Sequence, residues 1–277
     1  MTKTLFPKLP GKIIRLLESW FQYGNPWQVL GQRMKGKSVT EFRVVDRQSG
    51  VVCLCKPDAH RMFGEVWFDH DYDVPGTPLR TGDVVLDIGG NQGFFTCYAA
   101  WLGCRVLSYE PDEENINLME KNLHANDLHS LVTVMPAAVQ AQEGEVELFR
   151  TKQLGGGMNT TVTRIANDPS FNKRDSVTVP AVSIRSILRD ENLEQIRLCK
   201  MDCEGAELEI IESMSEEDMR RIESFAIEFH RGAYPPARLV AELERWGTHH
   251  VFPAAAKSYC QRDILYAISK ETLRKIS

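Results

Sequence analysis

The sequence predicts an α/β protein whose main domain is a doubly wound, mostly parallel sheet with an antiparallel strand at its C-terminal edge. Three observations carry this. Val84-Val85-Leu86-Asp87-Ile88 is apolar throughout except for its aspartate, as a strand buried on both faces reads, and it runs through a glycine turn into a helical stretch from Phe94 to Leu102. The same strand-then-helix unit recurs along the chain, which implies right-handed crossovers and a parallel sheet. Near the C-terminus two extended runs, His249 to Phe252 and Asp263 to Ile268, are close enough to pair antiparallel. A chain of 277 residues, 43% hydrophobic and 26% charged, fits one large domain with an appendage. The expected division is an N-terminal helical arm with a small β region over 1–78, and the main domain over 79–277.

From the N-terminus, Ile13 to Leu30 has Ile13, Leu16, Leu17 and Trp20 at helical spacing and is broken at Gly24-Asn25-Pro26, so an amphipathic arm and a homodimer contact through it are expected. Between Glu41 and Asp73 the runs FRVV, GVVCLC and EVWF read as strands, with a turn at Gln48-Ser49-Gly50. Arg105 to Glu110 is the second strand of the main sheet. Pro111, with Asp112, Glu113 and Glu114 behind it, opens a helix carrying Ile116, Met119 and Leu123. Leu131 to Val139 reads as the third strand and Glu145 to Phe149 as an extra one. Leu154 to Ser176 reads as a long polar loop, and Val177 to Val182 as extended. Ser183 caps a short helix, Ile196 to Met201 is the next strand, and a helix follows from near Ala206. Ser224 to His230 is another strand, and Pro235-Pro236 starts a helix with Leu239, Val240, Leu243 and Trp246 on its core face, stopped by Gly247.

Composition excludes several classes. No apolar run approaches the roughly 18 residues of a membrane span. The basic N-terminus breaks its apolar stretch with Pro7, Pro10, Gly11 and Lys12, so a secretory leader is not expected and the location is read as cytoplasmic. A net charge of -5, from 33 basic and 38 acidic residues, gives no global pull toward a phosphate backbone, so a nucleic acid is not the expected partner. The seven cysteines sit mostly in apolar segments and read as reduced, packed thiols.

Ligands of doubly wound sheets bind beyond the carboxyl ends of the strands, and those ends carry Asp87, Glu110, Ala137 to Val139, Asp202 and Glu228 to His230. Gly89-Gly90-Asn91-Gln92-Gly93 places small residues where strand turns into helix, so that amides and the positive helix end can approach a polar ligand. A dinucleotide turn would need G-x-G-x-x-G, whereas this chain has asparagine at the second required glycine and phenylalanine at the third; NAD is therefore the weaker choice. Glu110 ends the second strand, where a carboxylate accepts both hydroxyls of a ribose. Turn and acid together indicate a nucleoside-bearing cofactor.

VVLDIGGNQGFFT followed by YEP resembles the first two motifs of class I S-adenosylmethionine-dependent methyltransferases, and Lys200-Met201-Asp202-Cys203-Glu204-Gly205-Ala206-Glu207 with Ile227-Glu228-Phe229-His230 resembles the FkbM subfamily. The resemblance spans about Glu65 to Ile268 and leaves the first 40 residues uncovered. It implies a Rossmann-like methyltransferase sheet and S-adenosyl-L-methionine as cofactor. Asp87, Gly89, Gly90, Asn91 and Gly93 would form the methionine end of its site, with Thr96 reaching the methionine carboxylate, Glu110 and Pro111 lying at the ribose, and Ala137 or Ala138 beside the adenine. Gly90 is a departure, since alanine is more usual there. The implied activity is O-methylation of a sugar, glycan or secondary-metabolite hydroxyl.

A protonated hydroxyl is a poor nucleophile, so a base is expected within reach, and Asp202 and His230 are the candidates, with Lys200 orienting or neutralising a carboxylate. Glu204 joins them as a catalytic candidate. The competing reading has Glu204 holding turn amides, Glu207 complementing a helix dipole, and His230 packed against Trp246 or the C-terminal strands. Asp202, Glu228 and His230 are the alternative as ligands of a divalent cation, which is not the favoured reading. Other open classes are an N- or carboxyl-methyltransferase, an NAD-dependent oxidoreductase and a non-catalytic nucleoside-binding module. No Asn/Asp-Pro-Pro-aromatic run follows the fourth strand and there is no Pro-Cys pair, which counts against nucleic-acid amino- and C5-methyltransferases.

Overall fold

The computed structural model describes residues 21–35, 41–56, 59–151, 159–162, 167, 171–230, 232–253 and 264–276. Residues 13–20 of the expected arm helix, the first part of the Gly155–Thr161 loop and Cys260 lie outside them. The other six cysteines are free thiols.

Helix α1 (Pro26–Lys35) begins at the proline expected to break the arm, because proline suits the first turn of a helix. Asn25 before it fastens the turn to strand β1 (Phe42–Val45): its Nδ2 donates to Arg43 O at 2.7 Å and its Oδ1 accepts from Val45 N at 3.0 Å. β1 pairs antiparallel with β2 (Val52–Cys55) across the expected turn, where Asp46 accepts from Ser49 N. EVWF, expected as a strand, instead ends helix α2 (His60–Trp67). Phe63, Val66 and Trp67 at i, i+3 and i+4 are all buried there, a helical face that the short alternation concealed.

The main sheet contains β3 (Val84–Ile88), β4 (Arg105–Tyr109), β5 (Val132–Met135), β9 (Leu198–Met201), β10 (Ser224–Glu228), β11 (His249–Pro253) and β12 (Ile264–Ser269). Their order is β11-β12-β10-β9-β3-β4-β5. All neighbours are parallel except β12, which runs antiparallel to both β10 and β11; the antiparallel strand is thus second from the edge. Alternate strand residues feed opposite faces. Val85 and Val106 join a core with α2, helix α3 (Phe94–Trp101) and helix α4 (Glu113–Ala125), and Tyr23 and Phe42 belong to that same core. Leu86, Ile88 and Leu107 join the core on the other face.

The expected third strand is interrupted. Pro136 has no N–H to continue a ladder, so β5 stops at Met135, and β6 (Ala138–Val139) pairs in a separate sheet of order β6-β8-β7. In that sheet β7 (Gly144–Thr151) lies beside β8 (Phe171–Val182), which starts well inside the stretch expected to be loop. Ser183 caps α5 (Ile184–Asp190) through a reciprocal capping box with Ser186. Two short helices, α6 (Glu207–Ser213) and α7 (Glu216–Arg220), join β9 to β10. In α8 (Pro236–Glu244) Leu239 and Leu243 are buried as expected, but Trp246 is 40% exposed because the helix ends before it, and Arg245 stacks on its ring at 4.5 Å. Helix α9 (Lys270–Ile276) ends the described chain. Among the described residues no helix is long and apolar enough to cross a membrane.

A feature with no sequence forewarning joins the N-terminal hairpin to the sheet. Asn122 and Asn126, one turn apart, act as a false strand against β2: Leu54 N and Val52 N donate to their Oδ1 atoms at 2.7 and 2.8 Å, and their Nδ2 atoms donate to Leu54 O and Val52 O at 3.0 and 2.7 Å. Asn122→Ala leaves a backbone N–H and C=O unpartnered in a poorly hydrated place. It is expected to cost about 1–3 kcal/mol, read as a lower Tm.

Candidate active site

β3 delivers its chain end into a turn with three left-handed residues, Gly89 (φ 76°), Asn91 (φ 50°) and Gly93 (φ 83°). Asparagine tolerates this conformation, and Asn91 Oδ1 accepts from Gln92 N at 2.8 Å. A Cβ at Gly89 would overlap the carbonyl oxygen of Asp202, so turn and β9 meet backbone to backbone. A Cβ at Gly90 would overlap Ser108 Oγ and come within 2.7 Å of Met119 Cε, so the unusual glycine fits its surroundings.

The support beneath the turn is ionic. Lys200 Nζ, on β9, donates to Gly89 O at 2.7 Å and lies 3.1 Å from Asp87 Oδ1 as an ion pair without hydrogen-bond alignment. Burial alone would pull this ammonium down, but Asp87, Asp202 and Glu228 raise it above its ordinary value, so it stays charged. Thr96 is fully buried and donates to Asp87 Oδ2 at 2.6 Å. Its hydroxyl braces Asp87 under the turn rather than facing the cleft, a correction to the expected carboxylate contact. Asp87 itself is buried below the turn.

Glu110, just past β4, accepts from Asn91 N and Asp112 N, each at 2.8 Å, and burial pushes its carboxyl up to about 7. The cleft beyond the turn, about 540 Å³ and open to solvent, is lined by Gly89, Asn91, Glu110, Pro111 and Ala138 among others, and by Asp202 and Glu204 at its far side. Ala137 is buried in the core beside it and is not part of the lining.

Beyond β9 and β10 three carboxylates converge on one imidazole. His230 Nδ1 lies 3.2 Å from Glu207 Oε1, and Nε2 lies 3.2 Å from Glu204 Oε2 and 3.7 Å from Asp202 Oδ1. Burial lowers the imidazole's affinity for protons, but the hydrogen bond to Glu207 and the charges of Glu204 and Asp202 prevail and raise it to about 10. The shift favours the imidazolium at neutral pH, and Nδ1 is hydrogen-bonded to Glu207 Oε1. Burial pushes Glu204 up, against the pull of His230. Glu207, wholly buried, also accepts from Cys203 N, Gly205 N and Tyr234 OH, and His230 and these donors hold it low despite its burial. The amide-binding role foreseen for Glu204 therefore belongs to Glu207. Glu204 instead takes a left-handed backbone (φ 55°), and its carbonyl accepts from Thr160 Oγ1 at 2.8 Å.

Tyr72, between α2 and β3, extends its hydroxyl to Asp202 Oδ2 at 3.1 Å and Glu228 Oε2 at 3.0 Å. Ligand atoms of Asp202, Glu228 and His230 lie within 4.8 Å of one another, a convergence that strand alternation alone did not imply for Asp202.

A family model described as the methyltransferase FkbM domain matches residues 87–252, more than half of the chain. The chain belongs to the FkbM methyltransferase family. Methyltransferase sdnD of Sordaria araneosa is similar, 26% identical over 200 residues that cover 63% of this chain and 76% of that protein. So is 31-O-demethyl-FK506 methyltransferase FkbM of Streptomyces tacrolimicus, 23% identical over 62% of this chain and 75% of that one. Among solved structures, methyltransferase FkbM from Methylobacillus flagellatus KT aligns over 93% of this chain and 60% of its own at 14% identity, with a TM-score of 0.46. The FkbM family and the Rossmann-like sheet imply S-adenosylmethionine as the cofactor.

The FkbM match contains every residue singled out in the sequence as a site candidate, but not Tyr72. Nothing in the spacing around Tyr72 signals its reach to Asp202 and Glu228. Asn159 and Thr161 also line the cleft, and the polar, glycine-rich stretch before them was the available signal. Asn159 Nδ2 donates to Asp112 Oδ2 at 3.0 Å, so the 159–162 segment spans the cleft from the β4 end to the Glu204 turn.

Proposed function

We propose that this methyltransferase holds S-adenosylmethionine against the Gly89–Gly93 turn and methylates a hydroxyl oxygen of a sugar, glycan or secondary metabolite. The supporting observation is the convergence of Asp202, Glu204, Glu228 and protonated His230 at the strand ends facing the turn. The donor set fits the cofactor: the turn admits no Cβ at Gly89, and a buried carboxylate, Glu110, stands at the neighbouring strand end. In this reading Gly89, Asn91 and Gly93 wrap the methionine portion, Glu110 accepts from the ribose hydroxyls, and Ala138 lies by the adenine. When bound, the cofactor supplies a methyl group made electrophilic by a positively charged sulfur.

The residues around the acceptor have two tasks, alignment and proton removal. Asp202 is assigned as the proton acceptor. His230, expected from sequence as a second base, has no free lone pair as an imidazolium; it orients Glu204 and Asp202 instead. Tyr72 and Lys200 hold the acid pair Asp202 and Glu228 in place. The Streptomyces relative's name specifies a 31-O-demethyl acceptor, which supports oxygen here. A carboxylate acceptor is disfavoured by repulsion from this acidic lining, whereas an amine is the second reading because the lining attracts a cation. A divalent cation on Asp202, Glu228 and His230 is separated from the metal-free reading by a chelator.

Calorimetric titration with S-adenosylhomocysteine and, separately, NAD tests the cofactor, and transfer of labelled methyl to hydroxylated and amine acceptors tests the rest. Binding of NAD alone would overturn the proposal. Glu110 adds a pH dependence. With its carboxyl held at about 7, it is ionised above that pH and protonated below, so S-adenosylhomocysteine affinity is expected to fall as pH drops through about 7. Glu110→Gln is expected to bind roughly ten- to hundredfold more weakly at high pH and to lose the pH step. A Gln variant that keeps the step would remove Glu110 from the ribose site.

A further inference from the structure

Asp112 does more than its place at the start of α4 requires. Its Oδ1 caps the helix, accepting from Glu114 N at 2.9 Å and Asn115 N at 3.3 Å. An asparagine would cap it as well. The carboxylate is needed for its second oxygen: Oδ2 accepts from Arg150 Nε on β7 and from Asn159 Nδ2, each at 3.0 Å, and the residue is only 2% exposed. The backbone of the same residue holds Glu110, since Asp112 N is one of the two amides on that carboxylate.

Asn159 opens the short segment 159–162, which lies against β7. Its Oδ1 accepts from Thr151 N at 3.0 Å, and Thr160 pairs with Phe149 through two backbone bonds of 2.8 and 3.1 Å. Gln140 Nε2 adds a bond to Thr161 Oγ1 at 2.9 Å. The segment is therefore tied to β7 without help from the Thr160 hydroxyl. That hydroxyl is fully buried and turned the other way, donating to Glu204 O at 2.8 Å. Glu204 needs such a hold. A glutamate at φ 55°, followed by Gly205 at φ 107°, keeps this backbone only where its surroundings enforce it.

We propose that Asp112 and Asn159 are positioning residues for Glu204, acting through Thr160, so that the acid bordering the acceptor is held at a fixed span from the acid at the ribose. This rests on the assignment of Glu110 to the cofactor side and Glu204 to the acceptor side. The path runs from Glu110 through Asp112, Asn159 and Thr160 to Glu204, and every link is backbone or a short side chain, so a displacement at one end is passed on rather than absorbed. A ligand that fixes Glu110 then also orders the Glu204 turn.

The test is hydrogen exchange read by mass spectrometry on the full chain, with and without S-adenosylhomocysteine, in three variants. Asp112→Asn keeps the cap and sets an amide against the Asn159 and Arg150 donors. Asp112→Asn/Asn159→Asp restores the bond with its direction reversed, and the carboxylate placed at 159 still accepts from Thr151 N. Thr160→Val removes the last link alone. In the wild type the ligand is expected to slow exchange at both 159–162 and 203–207. Asp112→Asn is expected to speed exchange roughly tenfold at both segments, Thr160→Val at 203–207 only, and the double variant is expected to return to the wild-type pattern. The kcat for labelled-methyl transfer to hydroxylated acceptors is expected to fall roughly tenfold in each single variant and to recover in the double. Unchanged exchange at 203–207 in the single variants, or a double variant no better than Asp112→Asn, overturns the inference. So does a rise in exchange spread over α4 and β7, which would make Asp112 a support of the fold alone. If S-adenosylhomocysteine fails to bind the wild type, the cofactor reading falls instead, and exchange at 203–207 in the unliganded variants still decides whether the link exists.

Discussion

Asp202→Asn is expected to lower turnover by about 10²–10⁴-fold while leaving S-adenosylhomocysteine affinity nearly unchanged, the signature of a lost proton acceptor. Asparagine keeps the shape of the side chain, and its carbonyl oxygen can still accept from the Tyr72 hydroxyl that now reaches Asp202 Oδ2 at 3.1 Å. The Asp202 backbone, which approaches Gly89, is untouched by the change. A loss in kcat alone therefore reports on chemistry. Glu204→Gln is the necessary companion, because Glu204 also borders the cleft and shares His230 with Asp202. Unchanged turnover in Asp202→Asn, with a collapse in Glu204→Gln, would move the proton acceptor by two residues and make Asp202 a structural partner of Tyr72.

Gly89→Ala is expected to abolish measurable cofactor binding. The residue sits at φ 76°, where a side chain costs about 1–3 kcal/mol, and its Cβ would overlap the Asp202 carbonyl, an overpacking of comparable cost. Relief requires the β3 turn and the β9 end to separate, and these are two walls of one cleft. Lys200 would lose its 2.7 Å bond to Gly89 O in the process. Urea unfolding is expected to show the stability loss, and calorimetry with S-adenosylhomocysteine the loss of affinity. Wild-type affinity in a destabilised Gly89→Ala protein would mean that the turn is not the cradle.

What could be read from sequence was whatever depends on residue type at a strand end or a cap. Asp87, Glu110 and Asp202 were placed by the apolar runs that stop at them, and Ser183 by the cap it forms; the N-cap role of Asp112, expected only as a first-turn acid behind Pro111, is shown by the structure. Short segments with two competing periods were misread, as EVWF was, because four residues satisfy alternation and a helical face alike. Trp246 was misassigned by extending a helical pattern past the helix end, and β8 because a strand edge with Asn172, Lys173 and Arg174 has the composition of a loop. Tyr72, Asn122 and Asn126 were invisible for another reason. The partners that matter, Asp202, Leu54 and Val52, are 130, 68 and 74 residues distant, and nothing local encodes such a meeting.

The paired asparagines have a consequence for communication. Asn122 Nδ2 donates to Gln92 O at 2.8 Å as well as to Leu54 O, and Gln92 Oε1 accepts from Lys56 N at 2.9 Å. Hairpin and glycine turn therefore share one hub of amides. A ligand that orders the turn has to slow hydrogen exchange at Leu54 and Lys56, and by reciprocity any contact that holds the hairpin closed tightens the ligand's grip. The segment ahead of the family domain is in this way expected to report, through exchange at Leu54 and Lys56, whether the cleft is loaded.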